Sequence, residues 1–166
     1  ALVVLAMMPL GGGHAAVISV DFNNTTSAAW TLSSGEAAGP LDSTNWNSTS
    51  TASGGPVTLV DDTGASTTAT LTWSSSNTWT EGDGNGTANT KLAHAYLDDG
   101  GSAVQVTVSN LPYADYRVYG LFASDNATGI RNWDVNGNWV LGGDANTTAA
   151  AYATLAANQT ANGEAW

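Results

Sequence analysis

The feature that most constrains this fold is a period of two in the apolar pattern. Apolar residues alternate with polar ones or run in short blocks, and Gly, Asn, Asp or Pro closes each block. Successive side chains of a strand point to opposite faces, so this pattern builds sheets with one wet face and one dry face. The cleanest case is Val104, Val106 and Val108, which should face a core while Gln105, Thr107 and Ser109 face water. Further strand candidates are residues 17–22, 57–60, 68–73, 92–97, 116–123, 130–135, 139–141 and 152–155. The block 116–123 is apolar at both parities, which predicts a central strand covered on both sides. No helix of useful length is signalled. Residues 145–157 have the most helix-like composition, but their Thr and Tyr content favours a strand.

The turn residues agree with this reading. Asp61-Asp62-Thr63-Gly64 separates two strand candidates, and Asn136-Gly137 is the strongest two-residue hairpin signal. The stretch from Asn110 to Asp115 should close a hairpin between the strands on either side of it. Together these segments predict an all-β fold, an antiparallel β-sandwich or jelly roll of about nine strands.

A chain of 166 residues is long enough for one domain with a sizeable core. Seven Trp, five Tyr and 42% hydrophobic residues supply the apolar surface that folding requires. Charge is scarce and one-sided: three Lys+Arg stand against fourteen Asp+Glu, for a net charge of −11. The cations Lys91, Arg117 and Arg131 are scattered, so no basic face exists for nucleic acid or an anionic membrane. Such a surface suits divalent cations and neutral ligands, and serves equally for solubility. The absence of cysteine excludes disulfides, thiol catalysis and cysteine zinc sites.

Both ends carry expectations of their own. The apolar run 1–10 is too short to span a bilayer but fits the core of a secretory signal. Cleavage after Ala15 would place Gly13 and Ala15 at the two small-residue positions that signal peptidase reads. Residues 1–15 are therefore expected to be a signal remnant, and 16–166 a secreted domain with no membrane insertion. At the other end, Trp166 follows a Gly-containing turn and reads as the opening of a further strand. The sandwich is expected to be truncated there.

Little in the chain suits catalysis. His94 falls within a strand candidate, His14 leaves with the signal, and there is no Gly-x-Ser-x-Gly elbow. Most Asp residues stand in turns, where Asp is common anyway. The chain is expected not to be an enzyme. Ca²⁺ is the candidate cation, because Glu81-Gly82-Asp83-Gly84-Asn85-Gly86 is rich in oxygen ligands. Asp83 and Asn85 are its candidate ligands, with Asp21 a further one on the first strand; a plain Gly/Asp/Asn turn explains the loop as well. Trp73, Trp133 and Trp139 lie in strand patterns and belong to the core. Trp46 and Trp79 lie among Ser, Thr and Asn, where exposed apolar surface needs a reason. Each can either stack on a ligand or fold back to cap the sandwich. The candidate site is Trp79 with Asn77, Glu81 and Arg131, and Trp46 as a second aromatic.

A resemblance enters from Val104 onward. The segment V-T-V-S-N-L-P-Y-A-D-Y-R-V-Y-G-L-F-A-S-D, followed by G-I-R-N-W-D-V-N-G, resembles the galactose-binding-like β-sandwich superfamily, which includes malectin-like domains and carbohydrate-binding modules. Tyr116, Val118, Phe122, Arg131, Trp133, Asp134, Val135, Asn136 and Gly137 carry the likeness. The segments T-L-T-W-S-S-S-N-T-W-T and K-L-A-H-A-Y-L-D-D-G are similar to uncharacterised domains of exported bacterial proteins of the PEP-CTERM-sorted kind. The strand before Asn136-Gly137 reads as shorter than in malectin-like domains, and the closing strands that often supply ligand and metal contacts there are expected to be missing. The resemblance implies a secreted, non-catalytic module that binds glycans or cell-surface polysaccharide. The alternative is a surface-display or adhesive module without a small-molecule ligand.

Overall fold

The structure is a computed structural model that describes residues 5–9, 16–24, 29–80, 86–120, 131–135 and 138–142, with 5–9, 93–94 and 131–142 as backbone alone. The fold is all-β with antiparallel sheets and, among the described residues, one short helix. Strands β1 (Leu5–Pro9), β2 (Ile18–Phe22), β3 (Asn47–Thr49) and β9 (Tyr116–Tyr119) form one sheet in the order β3-β2-β1-β9. Strands β4 (Ser53–Val60), β5 (Ser66–Ser74) and β8 (Gln105–Ser109) form a second, in the order β4-β5-β8. Two ladders complete the described strands: β6 (Asn77–Thr80) with β7 (Ala95–Asp98), and β10 (Arg131–Val135) with β11 (Asn138–Gly142). Every pairing is antiparallel except that of β2 with β3.

Period two decides what is inside. On β2, Ile18, Val20 and Phe22 meet Leu59 of β4, Ala69, Leu71 and Trp73 of β5, and Leu97 of β7 in one buried cluster. Two inner sheet faces packed in this way make a sandwich core. The Phe22 and Trp73 rings meet edge to face at 6.3 Å, the arrangement their quadrupoles favour. Val104, Val106 and Val108 pack against the same cluster, whereas Gln105, Thr107 and Ser109 are exposed, as the alternation predicts. Trp73 lies in the core, where its pattern puts it. Its ring lies over Gly54, where an added Cβ would meet ring carbons at 2.6 Å, and its Nε1 donates to the Thr51 carbonyl at 2.8 Å.

Strand β2 is buried on both faces. Its second face carries Ser19, whose hydroxyl donates to Ser43 Oγ at 2.8 Å in the loop covering that side. That loop belongs to a second, smaller cluster of Leu32, Ala38, Trp46 and Leu92.

Several segments depart from the sequence expectations. The candidate strand 92–97 is two elements: α1 (Ala88–His94), then β7. Thr87 caps the helix, its side chain accepting from the Thr90 amide, and Lys91 Nζ binds Glu36 Oε1 at 2.8 Å to tie it to the covering loop. The helix is short and lacks a full apolar period, so nothing in its pattern separates it from a strand. Residues Asn110 to Asp115 do not close a hairpin. They carry the chain across the sandwich, because β8 pairs with β5 while β9 pairs with β1. Strand β9 ends its sheet among the described residues and is half-exposed, so it is not the doubly covered central strand expected of 116–123.

The β4–β5 turn behaves as read. Asp61 Oδ1 accepts from the Thr63 amide and hydroxyl and from the Ala65 amide, closing the β4–β5 hairpin with Gly64 at φ 83. Those bonds, the Thr63 hydroxyl first, hold the Asp61 carboxyl below its ordinary value. Val135 pairs with Asn138 at the end of the β10–β11 ladder, and Asn136-Gly137 themselves lie outside the described residues. Strand β1 falls in the run read as a signal remnant, and the structure pairs it with β2 on one side and β9 on the other. The candidate strand 152–155 lies outside the described residues.

Candidate functional site

The β6–β7 ladder sets the geometry of the exposed aromatic. Its register places Asn77 opposite Asp98, Thr78 opposite Leu97, Trp79 opposite Tyr96 and Thr80 opposite Ala95. Ala95 and Leu97 are buried, and Leu97 reaches the main core. The other parity therefore carries four groups on one face: Trp79 beside Tyr96, and Asn77 beside Asp98. Directly opposed side chains in such a pair sit about 5 Å apart at Cβ, and neighbours along one strand about 7 Å apart. The patch is thus two aromatic positions next to two polar ones.

Trp79 is 50% exposed, the more exposed of the two large hydrophobic residues at the surface among the described residues. The other, Val57, lies on edge strand β4, where the inner parity runs out of neighbours. Tyr96 is half-buried and packs against the cluster of Leu32, Ala38, Trp46 and Leu92, which anchors the back of the patch. Asp98 Oδ1 accepts only a long bond from the Gly100 amide, at 3.4 Å. Ser76 Oγ donates to the Asp99 carbonyl at 2.9 Å, tying together the segments that precede β6 and follow β7.

The predicted site residues separate. Trp79 and Asn77 share this face. Trp46 does not: it is 8% exposed, and its Nε1 donates to the Ser43 carbonyl at 2.7 Å. Gly39, at φ 75, leaves room for its ring; a Cβ there would stand 3.2 Å from two ring carbons. Trp46 has folded back, and it supports Tyr96 through the cluster they share instead of offering a stacking face. Arg131 opens β10 opposite Gly142, in a separate ladder. Glu81, Asp83 and Asn85 lie outside the described residues.

The sequence does not single out Tyr96, and it offers Asp98 only as half of the acid pair Asp98-Asp99 beside a strand, a candidate for Ca²⁺ and not a partner of Trp79. The missing signal is the pairing of β6 with β7, because the strand candidate 92–97 has a helix in its first half.

Asp21 is fully buried on the second face of β2. Its Oδ2 accepts from Asn23 Nδ2 at 3.2 Å and from Ser48 Oγ at 3.1 Å, while Oδ1 has no partner among the described residues. Burial pushes the carboxyl from 3.8 up to about 6, against those two hydrogen bonds. Ca²⁺ takes six to eight oxygens with strong carboxylate support. Among the described residues no group of three or more His, Cys, Asp or Glu gathers, at Asp21 or elsewhere. Comparison with family models, with curated proteins and with solved structures finds no match to this chain.

Proposed function

We propose that this chain is a non-catalytic carbohydrate-binding module of an exported bacterial protein, of the galactose-binding-like kind, which holds a neutral glycan on the Trp79 face. The observation that carries the reading is a half-exposed Trp79 beside Tyr96 with Asn77 and Asp98 completing one face. An indole exposed to this degree loses free energy to water, and a sugar's apolar face covers it while the polar pair satisfies the sugar hydroxyls. Amide and carboxylate together offer the donors and acceptors that a hydroxyl-rich ligand needs. The net charge of −11 supports a neutral ligand over an anionic one.

The test is retention on immobilised neutral polysaccharides (glucan, galactan and mannan) for the parent chain and Trp79→Ala. Binding lost by more than tenfold in the variant supports the reading; absence of binding by the parent to all three removes it. Export makes a separate demand, because cleavage after Ala15 would remove β1 from between β2 and β9. On the export reading, residues 16–166 alone keep the melting temperature of the longer chain. A loss above about 10 °C makes β1 part of the fold, the loss of several kcal/mol in a domain this size.

A second reading, a display or adhesive module without a small ligand, draws on the other exposed face. Strands β4, β5 and β8 contain no charged residue, and their outward positions include Thr58, Thr68, Thr70, Thr72, Thr107 and Ser109. Among the described residues these outward positions are polar and carry no aromatic.

A further inference from the structure

Resting on the glycan reading of the Trp79 face, we infer that Asp98 determines which sugars that face accepts. It would admit neutral residues with adjacent free hydroxyls and reject uronates and sulfated sugars. The argument starts from register. Asp98 stands opposite Asn77 and one alternate position along β7 from Tyr96, so its carboxylate borders the aromatic pair on the same face. One of its oxygens accepts a single long bond, from the Gly100 amide, and no other partner of the carboxylate is among the described residues. An ionised carboxylate only accepts, with room for about four donors on its two oxygens, so two sugar hydroxyls can donate to it together. Such charge-assisted bonds are roughly twice as strong as neutral ones.

The same charge excludes. A sugar carboxylate or sulfate laid on Trp79 would come close to Asp98, where two like charges repel strongly wherever water is displaced. A cation on the patch would cancel that repulsion. Lys91 is committed elsewhere, held by both oxygens of Glu36 at 2.8 and 3.0 Å. Asn77 has the complementary role, since its amide can donate to ring or glycosidic oxygens that Asp98 cannot serve.

The experiment pairs each neutral polysaccharide (glucan, galactan, mannan) with its C6-oxidised uronate form and measures binding by the parent, Asp98→Asn, Asp98→Ser, Asp99→Asn and Trp79→Ala. The parent should bind a neutral polymer at least tenfold more tightly than its oxidised partner, with the gap narrowing as salt rises. Asp98→Asn should weaken neutral binding about tenfold and close the gap, Asp98→Ser should do the same, and Asp99→Asn should leave both unchanged. Circular dichroism identifies any variant that does not fold, and the two Asp98 variants serve as each other's control. If Trp79→Ala abolishes binding while the Asp98 variants match the parent, or Asp99→Asn behaves as they do, the inference is overturned and the glycan reading stands. If the parent binds no neutral polymer, the glycan reading fails and the role of Asp98 fails with it.

Discussion

Trp46 and Trp79 stand in nearly the same local sequence and meet opposite fates. Ser43-Thr44-Asn45-Trp46-Asn47 and Ser76-Asn77-Thr78-Trp79-Thr80 are both polar stretches around one indole. Trp46 is buried in the loop-and-helix cluster, whereas Trp79 is half-exposed on the two-stranded β6–β7 ladder. What separates them is what lies opposite. The chain reaches Trp46 through Asp42 at φ 48 and Asn45 at φ 51, backbone states that non-glycine residues adopt where a tight loop requires them. That loop brings the Ser43 carbonyl to the indole nitrogen and Gly39 to the ring. Trp79 follows plain strand geometry, and its parity points away from the core that Leu97 enters from across the ladder. Polar neighbours in sequence therefore do not tell whether an aromatic is exposed; the residue across from it does.

The comparison breaks most easily at Trp46. Trp46→Ala removes a buried indole from the cluster of Leu32, Ala38 and Leu92 and takes away one of the two donors to the Ser43 carbonyl, which keeps the Ala38 amide at 3.0 Å. A loss of about 3–5 kcal/mol is expected, measured by urea unfolding. A loss below about 1 kcal/mol would mean that the cluster is loosely packed and that the two tryptophans are not so different.

The buried side of β2 should also titrate. Asp21 has its folded-state value raised from 3.8 to about 6, so between those values the folded chain keeps a proton that the unfolded chain has lost. Stability accordingly falls as pH rises through this window, by about 3 kcal/mol at most, and is level above it as far as Asp21 is concerned. Glu36 works in the opposite sense. Its bond to Lys91 lowers it from 4.5 to about 2, so its contribution is present above pH 4.5 and fades as pH falls toward 2. Melting curves from pH 3.5 to 7 should therefore decline above pH 4, and Asp21→Asn should flatten the decline. An unchanged slope in that variant would assign the decline to general repulsion among the acids instead.

A smaller effect probes the seat of the Trp46 ring. Gly39→Ala forces a side chain into the left-handed region at φ 75 and sets its Cβ 3.2 Å from the ring. The cost should be about 1–2 kcal/mol. A neutral result would show that the ring can shift, and would weaken the argument that Trp46 holds Tyr96 in place.

The all-β class and the sandwich core were legible because one rule, period two, applies along the whole length of a strand. Val104, Val106 and Val108 reached the core on that rule alone. Local turn chemistry was equally readable at Asp61 to Gly64, where the Asp side chain bonds amides two and four residues on. Partner choice was not readable. The stretch Asn110 to Asp115 has turn residues whether it closes a hairpin or crosses between sheets, and nothing local distinguishes the two. The site was half legible for the same reason: Trp79 and Asn77 follow from composition, whereas Tyr96 and Asp98 follow only from the β6–β7 register. Helix α1 hid that register, since its seven residues resemble a strand block and its Thr87 cap is a weak signal on its own.

The most discriminating substitution should be the one with the least effect on stability. Trp79→Ala removes a side chain that is already 50% exposed, so little burial is lost on folding. What remains is its cross-strand pairing with Tyr96, worth about 0.5–1 kcal/mol for an aromatic pair on one face of a ladder. The unfolding midpoint should therefore shift only slightly, while retention on neutral polysaccharide should fall more than tenfold. Trp46→Ala should do the reverse to first order, losing stability first and binding only as Tyr96 loses its support. If Trp79→Ala costs as much stability as Trp46→Ala, the indole is folded onto the protein in solution. The Trp79 face would then lack the exposed ring on which a sugar stacks.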